Sequence, residues 1–327
     1  MRILIPVLLA SLVLVGCGSD EATSGSASAP RSTVTHKFGK TEVPADPKRV
    51  VTVGYTDQDA ILALGVTPVA VGEFGGGYEW RTRPWAQAAL KGAEPEVVTD
   101  QQINFEAVAA QRPDLIIGIN AGLKQADYDK LSRIAPTVAQ SGDYINFGMP
   151  WDEQTLLVGQ ALGREEKAKE VVADVQAQLD AFKAKHADFA GKTAIMAYGG
   201  PDGYGAYATG DTRSRFLSDI GFTTPKEVDK LAGDQFYAQF SQEQFRLMDQ
   251  DVVVMYGAQK DILANPVFKR LDAVKEDRVI YLDLKDQMAG ALGFASALSL
   301  PWMLANTEAQ FTAAADGKTE TKVTQPE

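Results

Sequence analysis

Residues 165–185 read EEKAKEVVADVQAQLDAFKAK, and this stretch decides the architecture. Ala168, Val171, Val172, Val175, Leu179 and Phe182 recur at the spacing of one helical face. Glu165 and Glu166 open the helix and Lys183 and Lys185 close it, as the helix dipole favours. A helix of these 21 residues at ~1.5 Å per residue spans about 32 Å, long enough to run beside two lobes. No strand pattern occurs from Trp151 to about Phe189, so the helix lies in a purely helical interval.

On both sides of that interval strands alternate with helices. Arg49-Val50-Val51-Thr52-Val53-Gly54 is a β-branched run closed by glycine, which predicts a buried strand. Residues 57–64 have helical spacing and stop at Gly65; 68–72 is a second strand. Asn104 caps a helix that ends before Pro113, and Leu115–Gly118 is the next strand. Residues 128–134 are helical and Thr137–Ala139 is extended. The alternation restarts with a strand at 192–198 and a helix at 213–220. After a cap at Ser241 come strands at Val252–Tyr256 and 278–282 and helices at 267–274 and 295–313. Such alternation indicates parallel α/β layers. The halves also echo each other. Asn104-Phe105-Glu106 leads ten residues on to Asp114 and a buried strand, and Ser241-Gln242-Glu243 leads ten residues on to Asp251 and a buried strand. The reading is an α/β protein of two similar lobes joined by a single long α-helix.

The chain opens with Arg2 and an apolar run from Ile3 to Val15, shorter than the ~20 apolar residues of a spanning helix. The pattern is that of a secretory signal. It ends Leu14-Val15-Gly16-Cys17, and Cys17 is the only cysteine in 327 residues. This ending resembles a bacterial lipobox, which implies cleavage before Cys17 and acylation of its thiol; the alternative is an ordinary signal with a chance cysteine. The chain divides into a signal peptide (1–16), a tether rich in Ser, Ala, Gly and Thr (17–35), an N-terminal lobe (36–150), a helical segment with the linker helix (151–188), a C-terminal lobe (189–313) and a polar, fraying tail (314–327). With 45% apolar and 23% charged residues the composition is globular. A net charge of −11 argues against a nucleic-acid or anionic-lipid binder, although a few arginines can reverse the field in a pocket.

Several segments resemble the ferric-siderophore-binding lipoproteins of bacterial ABC importers, the helix-bridged class of solute-binding proteins. They are Pro47-Lys48-Arg49-Val50-Val51, Asp57-Gln58-Asp59-Ala60-Ile61-Leu62-Ala63-Leu64-Gly65-Val66, Asn104-Phe105-Glu106-Ala107-Val108-Ala109-Ala110, Arg112-Pro113-Asp114-Leu115-Ile116-Ile117, and Asn265-Pro266-Val267-Phe268 with Ala273-Val274-Lys275. The resemblance runs from about Thr33 to Ala313. It implies Rossmann-like lobes, a ferric siderophore held between them, and a permease and its ATPase as partners. It also implies that Glu106 and Glu243, one per lobe, dock onto permease arginines. Without the resemblance, a glutamate in a first helical turn merely favours the dipole.

A ferric chelate presents oxygens and flat apolar arms, so its pocket calls for arginine forks and for tyrosine and tryptophan surfaces. Ligands of parallel α/β layers gather at the carboxyl ends of strands. The loop after the second strand holds Tyr78, Trp80, Arg81, Arg83 and Trp85, the last with a second reading as the inward-packing start of a helix. The loop after the first strand of the second lobe holds Tyr204 and Tyr207, with Tyr198 at its mouth and Arg213 and Arg215 at its exit. Tyr55 and Tyr237 are further candidates. Glu73 and Asp202 lie in the same loops and oppose an anionic cargo unless paired. The two arginine pairs favour an anionic, oxygen-rich chelate.

Other chemistries find little support. Gly203-Tyr204-Gly205-Ala206-Tyr207-Ala208 fits a loose dinucleotide glycine pattern, but tyrosines crowd it. Gly191-Lys192-Thr193 lacks the first glycine of a phosphate loop, since His186 stands there. There is no Gly-x-Ser-x-Gly elbow. His36 and His186 do not form a metal cluster with Cys17 committed to lipid. Together with the resemblance, the sequence predicts no enzyme, no resident cofactor or metal, and a monomer that captures a ferric siderophore. Haem or a corrinoid on the same fold is the alternative, and an exported lipoprotein enzyme a more distant one.

Overall fold

The computed structural model describes residues 31–73, 82–318 and 320–326. Its strands are β1 (Arg31–His36), β2 (Gly39–Pro44), β3 (Val50–Thr52), β4 (Ala70–Glu73), β5 (Glu96–Asp100), β6 (Gln102–Ile103), β7 (Leu115–Gly118), β8 (Thr137–Ala139), β9 (Ala194–Gly200), β10 (Gly203–Tyr207), β11 (Tyr237–Phe240), β12 (Val252–Tyr256) and β13 (Val279–Leu282). The first lobe is built on a six-stranded sheet of order β6-β5-β4-β3-β7-β8, parallel except for β5 against β6. The second is built on a five-stranded sheet of order β11-β10-β9-β12-β13, in which β9, β12 and β13 run parallel and β10 and β11 antiparallel. Val50, Val51, Leu115, Ile116 and Ile117 are fully buried, because helices cover both faces of a parallel layer.

The internal echo has a physical basis. Asp114, just ahead of β7, accepts from the backbone N–H groups of Lys48 (2.7 Å) and Arg49 (2.9 Å), just ahead of β3. Asp251, just ahead of β12, accepts from the N–H (2.7 Å) and hydroxyl (2.9 Å) of Thr193, just ahead of β9. In each lobe a carboxylate thus ties together the starts of two neighbouring parallel strands. It satisfies donors that the ladder leaves open.

The long helix spans Glu165–Lys185, and its apolar stripe serves two cores. Ala168 packs into the first lobe with Val158, Leu162 and Ile61. Val175, Leu179 and Phe182 pack into the second with Phe216, Ile220 and Phe311, and half-buried Val171 touches both cores. The second core also takes in Leu62, Trp85 and Leu90 of the first lobe, so apolar packing continues across the seam between the lobes.

The structure departs from the sequence reading at both ends. Residues 17–35 were expected to be a tether, yet β1 already begins at Arg31 and pairs with β2, placing Val34 and Val43 in the first core. Residues 314–327 were expected to fray, yet Ala314, Ala315 and Val323 are buried. The Gln325 side chain accepts from Tyr281 N (2.7 Å) and donates to Val279 O (3.0 Å), covering the open edge of β13. The helix expected at 295–313 is Ser299–Ala315, and a further helix, Gln287–Phe294, precedes it. The helix after Ser241 is a 3-10 helix, Gln242–Met248.

The most consequential departure is β10, expected to be a loop. As a strand it alternates faces: Tyr204 and Ala206 enter one core layer and Tyr207 turns to the other. The Tyr198 ring lies across Gly205, where a Cβ would collide with it, so this glycine permits close packing rather than a phosphate contact.

Candidate functional site

A cavity of about 300 Å3 opens between the lobes. Tyr55, Thr56, Asn120 and Phe147 line it from the first lobe. Tyr207, Thr212, Arg213, Phe236, Tyr256, Leu284 and Phe294 line it from the second.

On the first side, Tyr55 and Thr56 follow β3 and Asn120 follows β7, at the carboxyl ends of parallel strands. Asp57 fixes this corner. Its fully buried carboxylate accepts from Ile119 N (2.9 Å), Asn120 N (2.8 Å) and Gln154 Nε2 (3.0 Å). Burial pushes its pKa up to about 6 against the pull of these hydrogen bonds. Asn120 Nδ2 donates to Thr56 Oγ1 at 2.6 Å, while its Oδ1 is buried without a partner. Phe147 stacks on Tyr55 with ring centroids 6.2 Å apart and meets Phe236 of the other lobe edge-on at 5.7 Å. Phe147 sits at φ 64°, a left-handed conformation that costs a bulky side chain energy and is held here by the aromatic contacts.

On the second side, Asp211 caps the helix Thr212–Asp219 by accepting from Arg213 N at 2.9 Å. The same carboxylate accepts from Arg213 Nε and Nη2, both at 2.8 Å. The guanidinium lies 3.6 Å over the Tyr207 ring. Burial raises the phenol pKa values of Tyr207 and Tyr256, keeping both protonated, and the Tyr256 hydroxyl donates to Ala289 O at 3.1 Å. The result is an aromatic chamber with a few hydroxyls, one unpaired carbonyl oxygen and one paired guanidinium. That surface suits a broad, oxygen-bearing small molecule.

Of the residues singled out from sequence, Tyr55, Tyr207 and Arg213 line this cavity. Tyr198 backs it, packing against Tyr207 at 5.6 Å and Tyr237 at 6.1 Å. Tyr237 is 40% exposed beside Phe236, next to the lining rather than in it. Tyr204 is turned into the core, its hydroxyl donating to Ile262 O at 2.7 Å. Arg83 is buried at the seam, bound to Asp59 through Nε and Nη2, both at 2.9 Å. Trp85 also packs inward there, donating to Asp59 Oδ2 at 2.8 Å. Arg215 faces a separate hollow lined by Tyr144, Trp151, Asp152, Glu153 and Asp219, and donates to Gly210 O at 2.9 Å. Tyr78, Trp80, Arg81 and Cys17 lie outside the described residues. Glu106 and Glu243 are both exposed, in the first turns of the helix Phe105–Ala110 and the 3-10 helix Gln242–Met248. Asn104 caps the first through its Oδ1 to Ala107 N (3.0 Å), and Ser241 forms a capping box with Gln244 on the second.

Sequence reasoning missed Asn120, Phe147, Phe236 and Tyr256. Asn120 and Tyr256 sit at the ends of β7 and β12, where the rule used for Tyr55 would have found them. Phe147 and Phe236 lie in irregular chain whose approach to the cleft no periodicity signals. Among the described residues, no group of three or more His, Cys, Asp or Glu could hold a metal ion. No helix among them is long and apolar enough to cross a membrane.

Comparison with known proteins agrees with this geometry. The chain is similar to the probable siderophore-binding lipoprotein YfiY of Bacillus subtilis, 33% identical over 264 residues that cover 78% of each chain. It superposes on a periplasmic solute-binding protein from Mycobacterium smegmatis with a TM-score of 0.76 at 35% identity, covering 87% of this chain and 99% of that one. It also superposes on Staphylococcus aureus SirA complexed with staphyloferrin B, with a TM-score of 0.68 at 26% identity, covering 84% and 97%. The family model described as periplasmic binding protein matches residues 50–285. Two α/β lobes, a bridging helix and a cleft at the strand ends are thus the features of a chain that belongs to the periplasmic binding protein family.

Proposed function

We propose that this protein captures a ferric siderophore outside the cytoplasmic membrane and delivers it to the permease of an ABC importer, whose ATPase drives uptake. The observation that carries the reading is the interlobe chamber, with Tyr55 and Phe147 facing Tyr207, Arg213 and Phe236. Its broad rings and scattered hydrogen-bonding groups suit a pre-formed chelate. The relatives named for siderophores support the same cargo. Anchoring follows from Cys17, acylated as the first residue after signal cleavage. Glu106 and Glu243 are the docking carboxylates, exposed on comparable first turns of the two lobes, where a matched pair fixes register on the permease. The role is binding without turnover, and among the described residues lining the cavity none is a His, Cys or Ser.

The test pairs binding with uptake. The protein should quench or shift its tryptophan emission on titration with ferric siderophores. Glu106→Lys with Glu243→Lys should leave that titration intact and sharply reduce uptake of radioactive iron by cells. Unaltered uptake would refute the docking assignment, and the absence of any ferric-chelate binding would refute the cargo.

A further inference from the structure

The charge of the chamber narrows the cargo beyond the reading above, on which this inference rests. The sequence placed arginine pairs around the cleft and so favoured an anionic chelate. The structure places two of those four arginines elsewhere, and Arg81 lies outside the described residues. Arg83 is bound to Asp59 at the seam, and Arg215 opens onto another hollow. Among the described residues lining the cavity, the only cation is Arg213, held by Asp211 through two parallel hydrogen bonds. The pair sums to no net charge, and its carboxylate is 1% exposed. The remaining lining is aromatic or aliphatic side chain, threonine hydroxyl and the Asn120 amide. A polyanionic complex entering such a wall loses its hydration without gaining a free countercharge. The chain's net charge of −11 opposes its approach as well.

The polar groups that remain fit an uncharged chelate built on amides. Among the described residues the Nη1 group of Arg213 has no acceptor, and the threonine hydroxyls can serve hydroxamate carbonyl oxygens. The partnerless Asn120 Oδ1 calls for an N–H donor, which an amide-bearing ligand carries and a citrate complex lacks. We propose that the cargo is an uncharged or weakly cationic ferric hydroxamate, and that Asp211 sets this preference by neutralising Arg213.

The experiment is a calorimetric titration of the full chain with four probes. Ferrichrome is an uncharged hydroxamate and ferrioxamine B a cationic one, while ferric enterobactin and ferric citrate are anionic. The hydroxamates should bind tighter than either anionic complex by roughly tenfold or more. Asp211→Asn, which keeps a capping oxygen but exposes the guanidinium charge, should narrow that gap by strengthening the anionic complexes. Arg215→Gln, in the separate hollow, should leave the ranking unchanged. Tighter binding of an anionic complex by the native chain overturns the charge inference and leaves the proposed function standing. Failure of all four probes to bind a chain that still unfolds cooperatively overturns the proposed function itself. If Asp211→Asn does not fold, the ranking measured on the native chain decides alone.

Discussion

Arg83 and Arg213 each pair with a buried aspartate, in two different regions of the cleft between the lobes. At the seam, Asp59 is fully buried and accepts from Arg83, from Trp85 Nε1 and, across the lobes, from Ser296 Oγ at 2.7 Å. Trp85 packs on Phe294 at 5.5 Å and Trp302 at 5.7 Å, closing the region to water. At the chamber, Asp211 is equally buried, but Arg213 keeps 19% of its side chain exposed and lies along the cavity wall. The same chemistry thus does two jobs. Where every donor and acceptor is matched and walled in, the pair joins the lobes. Where one face is left open, it shapes a surface for a ligand.

The largest effect should come from breaking the seam. Asp59→Ala removes the carboxylate that Arg83, Trp85 and Ser296 share in a buried seam, so it should destabilise by about 3–5 kcal/mol in denaturant unfolding. The matching change at the chamber is the double variant Asp211→Asn with Arg213→Gln, which deletes both charges together. It should cost less stability than Asp59→Ala yet weaken chelate affinity by ~1–3 kcal/mol for the charge-assisted hydrogen bond lost. Equal stability losses at the two sites would erase the contrast. Ser296→Ala should cost on the order of 1–2 kcal/mol, since it removes one hydrogen bond to a charged acceptor across the lobes. Arg215→Gln is the control and should change affinity by no more than about 0.5 kcal/mol.

The hollow beside Arg215 adds a second pH signature to that of Asp57 at the chamber's corner. Burial, with Asp152 nearby, raises the Asp219 carboxyl from its ordinary 3.8 to about 6. The folded protein therefore holds this proton more tightly than the unfolded chain. Its contribution to stability is present below pH ~4 and lost as pH rises through about 6. Asp219→Asn should flatten the decline in melting temperature over that window; an unchanged pH profile would assign the decline to another group.

How much of this was legible in the sequence follows from range. The two α/β lobes and the bridging helix could be read because their signals are local: β-branched runs at Val50 and Leu115, and three-and-four spacing from Ala168 to Phe182. Tyr55 was found by a local rule as well, since it follows a strand. Arg83 and Arg213 look alike in sequence, each in a loop among aromatics. Their fates were decided by Asp59, 24 residues upstream and tied to Ser296 in the other lobe, and by Asp211, two residues upstream. Tyr204 was misplaced because Gly203–Tyr207 is rich in glycine and reads as a turn. Gly205 instead lets the Tyr198 ring lie across the sheet, as Gly199 on β9 does for the Tyr204 ring. Phe147 and Phe236 come from chain with no periodic pattern, and only tertiary folding brings their rings within 5.7 Å.

The central claim is that both lobes grip one ferric chelate through the chamber rather than elsewhere on the surface. Hydrogen–deuterium exchange with and without saturating ferrichrome measures this directly. The account expects protection on both sides at once, in the segments around Tyr55 and Asn120 and in those around Tyr207 and Phe236. Protection confined to one lobe, or centred on the hollow beside Arg215, would contradict it.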